Sequence, residues 1–209
     1  MGFHSYLQAH DIPFESMYAT AFNHKAFKYI KNKAVEATES LSAERGEAPD
    51  ISGAGKRNAH LLAVAPNASS SIICGGTSPS IEPYRANVFT HKTLSGSFRV
   101  RNKYLNSIIK KLFKGDPAKQ ERVWKDIAAH EGSIQHLDFF SEEQKEIFKT
   151  APEINQIWLI EHAEQRQQYI CQSQSVNLFF VPPKATEDQA IHDEYLQYVN
   201  DVHWVGVKK

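Results

Sequence analysis

Residues 61–76 read LLAVAPNASSSIICGG, and the fold turns on how this stretch is understood. Leu61 to Ala65 are uninterruptedly apolar and few, which predicts a strand covered on both faces, as in a parallel sheet. Residue types alone would equally fit a buried helix segment, so the strand reading leans on the stop at Pro66-Asn67. Three serines, two isoleucines, a cysteine and two glycines follow. In α/β folds ligands sit beyond the C-terminal ends of parallel strands. Small residues there let backbone approach an anion, and amides at a turn or helix start supply donors at a positive dipole end. The segment therefore suits a phosphate group. An ordinary serine-rich helix cap stays open beside that reading, because no lysine follows as in a P-loop.

Working outward, Glu15 to Arg45 is predicted as one long helix. Phe14, Tyr18, Phe22, Ala26 and Ile30 recur about every fourth residue on its apolar stripe, and Lys25, Lys28, Lys31 and Lys33 take solvated positions. Gly46 and Pro49 end it, and Asp50 to Lys56 form a glycine-containing loop. Val88 to Val100 reads as two extended segments about the turn Leu94-Ser95-Gly96-Ser97. Tyr104, Leu105, Ile108, Ile109, Leu112 and Phe113 mark an amphipathic helix, and another covers Ala118 to His130. Ser141 and Gln144 have capping-box spacing. Pro152 opens a helix reaching about Tyr169. Val176 to Val181, closed by Pro182-Pro183, is the second predicted strand. Thr186 and Gln189 repeat the capping spacing before a stripe of Ile191, Tyr195, Tyr198, Val199 and Val202. Helices and strands alternating through long crossovers imply an α/β architecture. Residues 205–209 resemble the start of a strand that is not completed.

Composition narrows the function. With 209 residues, 41% of them hydrophobic, the chain fits one domain or a large part of a bigger one. Basic and acidic residues balance at 24 each, against the basic excess of a nucleic-acid or anionic-membrane binder. No apolar run approaches the ~20 residues of a membrane span, and no signal peptide is evident. Two distant cysteines, Cys74 and Cys171, form neither a metal pattern nor a disulfide framework, so a reducing cytoplasm is expected. Ten histidines include no HxxxH pair, and His130 and His136 stand six apart with no carboxylate pattern between them. They are read as structural or solvated, and no metal site is expected. Glu82 is assigned a structural role, Tyr195 and Tyr198 core positions, and Lys110-Lys111 and Lys208-Lys209 solvated positions.

The run Arg57 to Ile73 (RNAHLLAVAPNASSSII), followed by Ser80-Ile81-Glu82-Pro83, resembles the large (alpha) subunit of class I ribonucleotide reductase. In that family a P-T-A-S-S/T loop binds the substrate diphosphate and an S-I-E-P element follows. The likeness continues through Tyr84 to Phe98, Gly132-Ser133-Ile134-Gln135, and Gln172-Ser173-Gln174-Ser175-Val176-Asn177, similar to the family's D-Q-S-Q-S-L-N. Upstream it takes in Met1-Gly2-Phe3-His4 and Pro13-Phe14-Glu15-Ser16. The compact segment from Glu47 to Arg57 looks like bacterial and bacteriophage members.

The resemblance implies the C-terminal portion of a ten-stranded α/β barrel, incomplete over residues 1–209. It places Pro66, Asn67, Ala68, Ser69 and Ser70 at the substrate diphosphate. Asn67 replaces the common threonine or serine, and Cys171 replaces the usual aspartate and is expected to be a neutral buried thiol. The family's catalytic cysteines, glutamate and asparagine lie upstream of the resembled part, and its tyrosine pair and cysteine tail downstream, so no catalytic residue is assigned here. The implied activity is reduction of ribonucleoside diphosphates for deoxynucleotide synthesis. It requires a complementary N-terminal alpha fragment and a small beta subunit whose metal cofactor generates the radical; no cofactor is expected in this chain. Two further readings stay open: a stand-alone, non-catalytic phosphate- or nucleotide-binding module, and a non-functional remnant.

Overall fold

A computed structural model describes residues 1–93 and 96–179. In chain order these form α1 (Phe3–Ala9), α2 (Met17–Arg45), a 3-10 turn at Pro49–Ile51, α3 (Ala68–Ile73), strands β1 (Val88–Thr93) and β2 (Gly96–Arg101), α4 (Lys103–Leu112), α5 (Pro117–Ala129), α6 (Glu142–Ile147), a 3-10 turn at Ala151–Glu153, and α7 (Gln156–Gln167). The chain divides into two units. The first comprises Met1–Ser16 with Asn67–Asn155, the second Met17–Pro66 with the residues from Gln156 onward.

The first unit is organised by apolar side chains. Helix α4 buries Leu105 and Ile109, one turn apart, and α5 buries Val123, Trp124 and Ile127. They meet Val88, Ile134, Leu137, Phe140, Ile147 and Phe148 in one cluster. Each large side chain taken fully from water contributes roughly 1.5–3 kcal/mol. Local signals set the helix starts. The Asn102 carboxamide oxygen accepts from the Tyr104 and Leu105 amides, Asp116 caps α5 ahead of Pro117, and Ser141 with Gln144 forms a complete capping box. Strands β1 and β2 form an antiparallel hairpin pairing Val88 with Arg101 and Thr93 with Gly96.

Polar contacts join distant parts of this unit. Gly2 N–H donates to the Ser78 carbonyl at 2.9 Å, and Ser5 and Ser78 exchange amide-to-hydroxyl bonds at 3.1 and 2.7 Å. Tyr84 N–H donates to His4 Nδ1 at 3.0 Å. Buried Asn87 donates from its carboxamide to the Gly132 and Phe148 carbonyls at 3.1 and 2.8 Å and accepts from Asn102 at 3.0 Å. Gly132 cannot be larger. Its φ is +88°, and an added Cβ would stand 2.5 Å from Ala86 Cβ and 2.8 Å from the Asn87 nitrogen.

The second unit is organised by polar side chains. Helices α2 and α7 pack together, and Arg166 of α7 is 1% exposed. Its Nη1 donates to Asn23 Oδ1 and its Nε to Gln174 Oε1, both at 3.1 Å. Asn23 donates to the His162 carbonyl at 2.9 Å, and Gln174 to the Ala163 carbonyl at 2.7 Å. Arg166 also lies over the Phe27 ring, 5.6 Å from its centre. Elsewhere Thr38 Oγ1 accepts from Asn58 N–H at 2.8 Å, and the Glu47 carboxylate gathers the Gly53 and Gly55 amides, fixing the glycine loop.

Several expectations are corrected. The long helix starts at Met17, and its hidden positions are Ala19, Asn23, Thr38 and Ser42. Tyr18 and Ile30 are exposed, and Phe14 is buried outside the helix. Small and polar residues, able to come close and hydrogen-bond, define the packed face in place of the bulky stripe. Leu61–Ala65 is extended but not covered on both faces. Among the described residues only Val64 forms a bridge, parallel to Gln174, and Ala63 and Ala65 are exposed. The helix expected from Pro152 to Tyr169 is split. Thr150 and Glu153 cap a separate turn, Ile154 is extended at ψ 134°, and α7 starts afresh at Gln156. Among the described residues, 176–179 form no ladder, and the Phe179 amide donates to Gln156 Oε1 at 2.8 Å; Phe180, Val181 and the stop at Pro182-Pro183 lie outside the described residues. The capping spacing at Thr186, the stripe from Ile191 to Val202 with Tyr195 and Tyr198, and residues 205–209 lie outside the described residues.

Candidate substrate-binding segment

The segment begins with a short parallel pairing. Gln172 N–H donates to the Leu62 carbonyl at 3.1 Å, Val64 N–H to the Ser173 carbonyl at 3.1 Å, and Ser175 N–H to the Val64 carbonyl at 2.9 Å. The chain then leaves through Pro66 and reaches Asn67, the residue before α3. Asn67 has φ +121° and ψ 33°, a sparsely populated conformation for a residue with a Cβ and one that costs on the order of 1–3 kcal/mol.

The three serines divide their work. Ser71 is buried, and its hydroxyl donates to the Ala68 carbonyl at 2.7 Å while its amide donates to the Asn67 carbonyl at 3.0 Å. It holds the first turn. Ser69 and Ser70 are exposed, as are Pro66 and Ala68, and Asn67 is half-buried. The amides of Ala68, Ser69 and Ser70 belong to the first turn, where no intrahelical acceptor exists. Beyond the helix, Thr77 N–H donates to the Ser71 carbonyl at 3.1 Å and Tyr84 Oη to the Gly76 carbonyl at 2.9 Å. The exposed Ser69 and Ser70 hydroxyls and the first-turn amides are the kinds of donor that an anion accepts from.

Cys171 departs from expectation. It is exposed, and its Sγ accepts from the Leu61 and Leu62 amides at 3.0 and 3.2 Å. Partial desolvation opposes ionisation. The backbone amides of Leu62, Leu61 and Cys171 itself, with the charge of Lys31, outweigh it and lower the thiol below its ordinary value. The sulfur thus serves as the acceptor for two successive backbone amides. Glu82 is buried at 7% exposure, consistent with a structural role, and its amide donates to the Pro79 carbonyl. Lys110 and Lys111 are exposed.

One grouping escaped the sequence reading. Asp126, His130 and His136 each place a ligand atom within 4.8 Å of the others. The carboxylate precedes His130 by one helical turn, where an i, i+4 search would find it, and does not lie between the histidines. Among the described residues no helix is long and apolar enough to cross a membrane.

The family described as ribonucleotide reductase, barrel domain, matches residues 48–203. The ribonucleoside-diphosphate reductase large subunit of Invertebrate iridescent virus 3 is 45% identical over 203 residues, covering 97% of this chain and 30% of that protein. The corresponding protein of Danio rerio is 31% identical over 212 residues, covering 86% and 26%. The solved class Id ribonucleotide reductase alpha subunit of Actinobacillus ureae superposes with a TM-score of 0.79 at 36% identity, covering 96% of this chain and 35% of that one. This chain belongs to the ribonucleotide reductase large-subunit family, within its barrel domain. It spans about a third of the length of these relatives.

Proposed function

We propose that the chain contributes the substrate diphosphate-binding segment of a ribonucleoside-diphosphate reductase alpha subunit, with Pro66, Asn67, Ala68, Ser69 and Ser70 around the diphosphate. One observation carries the reading: Ser69 and Ser70 face outward at the start of a helix whose third serine is tied down. The pairing of residues 62–64 with 172–175 is then part of the family's ten-stranded barrel. The segment's work is positioning. Fixing the diphosphate fixes the ribose against reacting groups on the remainder of the alpha subunit. Those groups include the radical cysteine and the reducing cysteine pair, and this chain has only Cys74 and Cys171. The beta subunit brings the metal cofactor that generates the radical. The product is a deoxyribonucleoside diphosphate, and the residues of this chain alone do not turn over substrate.

Calorimetry of a ribonucleoside diphosphate with this chain reassembled with the remaining alpha-subunit residues tests the assignment. Ser69→Asp sets a carboxylate beside the diphosphate, and repulsion across a few ångströms weakens affinity at least about tenfold. Unchanged affinity would remove these residues from the substrate site. Turnover by the isolated chain would refute the division of labour.

A further inference from the structure

We propose that Asp126, His130 and His136 form a surface site for a divalent transition ion of the zinc class, apart from the nucleotide segment in sequence and in chemistry. Asp126 Oδ1 lies 3.1 Å from His130 Nδ1, and Oδ2 lies 3.3 Å from His136 Nε2. Zinc binds imidazole nitrogen and carboxylate oxygen at roughly 2.0–2.2 Å, so neighbouring donors around a tetrahedral ion stand about 3.3–3.5 Å apart. Both spacings fall at or just under that edge length; His130 Nδ1 also lies 2.9 Å from the Asp126 carbonyl oxygen, a contact the ring gives up when Nδ1 turns to the ion. The imidazole rings stack with centres 3.7 Å apart and planes 27° from parallel. Two protonated rings in that stack would oppose each other. One ion shared by two neutral imidazoles and a carboxylate supplies the positive charge without that conflict.

The scaffold holds the donors in place. Asp126 and His130 are one turn apart at the C-terminal end of α5, where the helix dipole favours a cation. His136 follows a turn fixed by Gly132, whose amide donates to the Ile127 carbonyl at 2.8 Å. Buried Ile134 and Leu137 flank it. Two nitrogens and one oxygen suit zinc and leave a position for water, while the hard-cation set of calcium or magnesium is absent from the trio. The bound ion staples the end of α5 to the turn after it.

Zinc titration by calorimetry, after treatment with a chelator, tests the proposal on the full chain. The expected result is one saturable equivalent, weakened at least about tenfold in each of Asp126→Asn, His130→Ala and His136→Ala, and unchanged in His60→Ala. The exposed thiols are common to all these proteins, so the differences report the trio alone. Imidazole nitrogen resonances give a second reading that does not depend on the variants: zinc should shift His130 and His136 before any other histidine. Absence of saturable binding, variants that bind like the parent protein, or first shifts at other histidines would each overturn the site and leave the trio as an ion pair with a stacked neighbour.

Discussion

The two units bury their interiors by different means. Around α4 and α5 the hidden residues are chiefly Leu105, Ile109, Trp124, Ile127, Ile134 and Phe148, with carboxamides at the margins. Between α2 and α7 they include Asn23, Thr38, Gln156, His162, Arg166 and Gln174, with Leu159, Ile160 and Ala163 alongside. An apolar interior tolerates small errors of placement, because dispersion and water exclusion have no direction. A buried polar network does not, since each donor left unmatched costs about 1–3 kcal/mol. The contact of α2 with α7 therefore draws order from geometry where the cluster around α4 and α5 draws it from volume.

The largest expected effect lies in the first unit. Trp124 is 1% exposed in the centre of the cluster, and Arg101 stacks on its ring with the guanidinium 5.3 Å from the ring centre. Trp124→Ala should cost about 3–5 kcal/mol, combining lost transfer energy with the cavity left behind. Native-state hydrogen exchange at the amides of α4 and α5 measures it. A loss below about 1 kcal/mol would mean that volume is not what orders this unit.

Next in size is the network itself. Asn23→Ala removes an acceptor of Arg166 and the donor to the His162 carbonyl, leaving buried groups unmatched at a cost of about 2–3 kcal/mol. The Arg166→Met variant and the double variant complete a cycle whose coupling should lie between about 0.5 and 3 kcal/mol. Additive losses would dissolve the contrast between the units, because the polar side chains would then act singly.

The same contrast decides what the sequence could reveal. Elements governed by local rules were legible: the Leu105–Ile109 stripe, the Ser141–Gln144 box, and the two extended segments within 88–100, although Gly96 and Ser97, read as turn, open β2. Misreadings cluster where a remote partner sets the outcome. The packed face of α2 includes Asn23 and Thr38, which resemble surface residues until their acceptors, the His162 carbonyl and Asn58 Oδ1, are known. Arg166 looks like solvated charge, and nothing near it in sequence announces Asn23 or Gln174. Leu61–Ala65 shows the converse: apolar residues implied cover on both faces, yet among the described residues Ala63 and Ala65 are exposed and the segment pairs with residues 172–175 alone. At the candidate site, composition and spacing pointed to a phosphate-type segment, while the particular residues 66–70 came from family resemblance. Division of labour among Ser69, Ser70 and Ser71 needed coordinates, because only the turn geometry distinguishes them.

Acid offers the smallest and most even-handed comparison, because among the described residues each unit buries one imidazole. Desolvation lowers His4 to about 3, only partly opposed by the Ile147 carbonyl. Desolvation followed by the nearby Arg166 charge lowers His162 to about 3. The ordinary value is 6.5, so between pH 6.5 and 3 the unfolded chain binds protons that the folded chain refuses. Stability from keeping these rings neutral is complete above pH 6.5 and falls as the pH drops toward 3. At pH 5.5 the loss is about 1.4 kcal/mol per histidine, one unit below the unfolded value. Denaturant titrations at pH 7.5 and 5.5 should show each of His4→Gln and His162→Gln removing about half of the histidine-linked acid loss, since glutamine keeps a hydrogen-bonding side chain without titrating. Should His162→Gln remove the loss while His4→Gln leaves it intact, acid sensitivity would belong to the polar network alone, and the apolar unit would carry its histidine without cost.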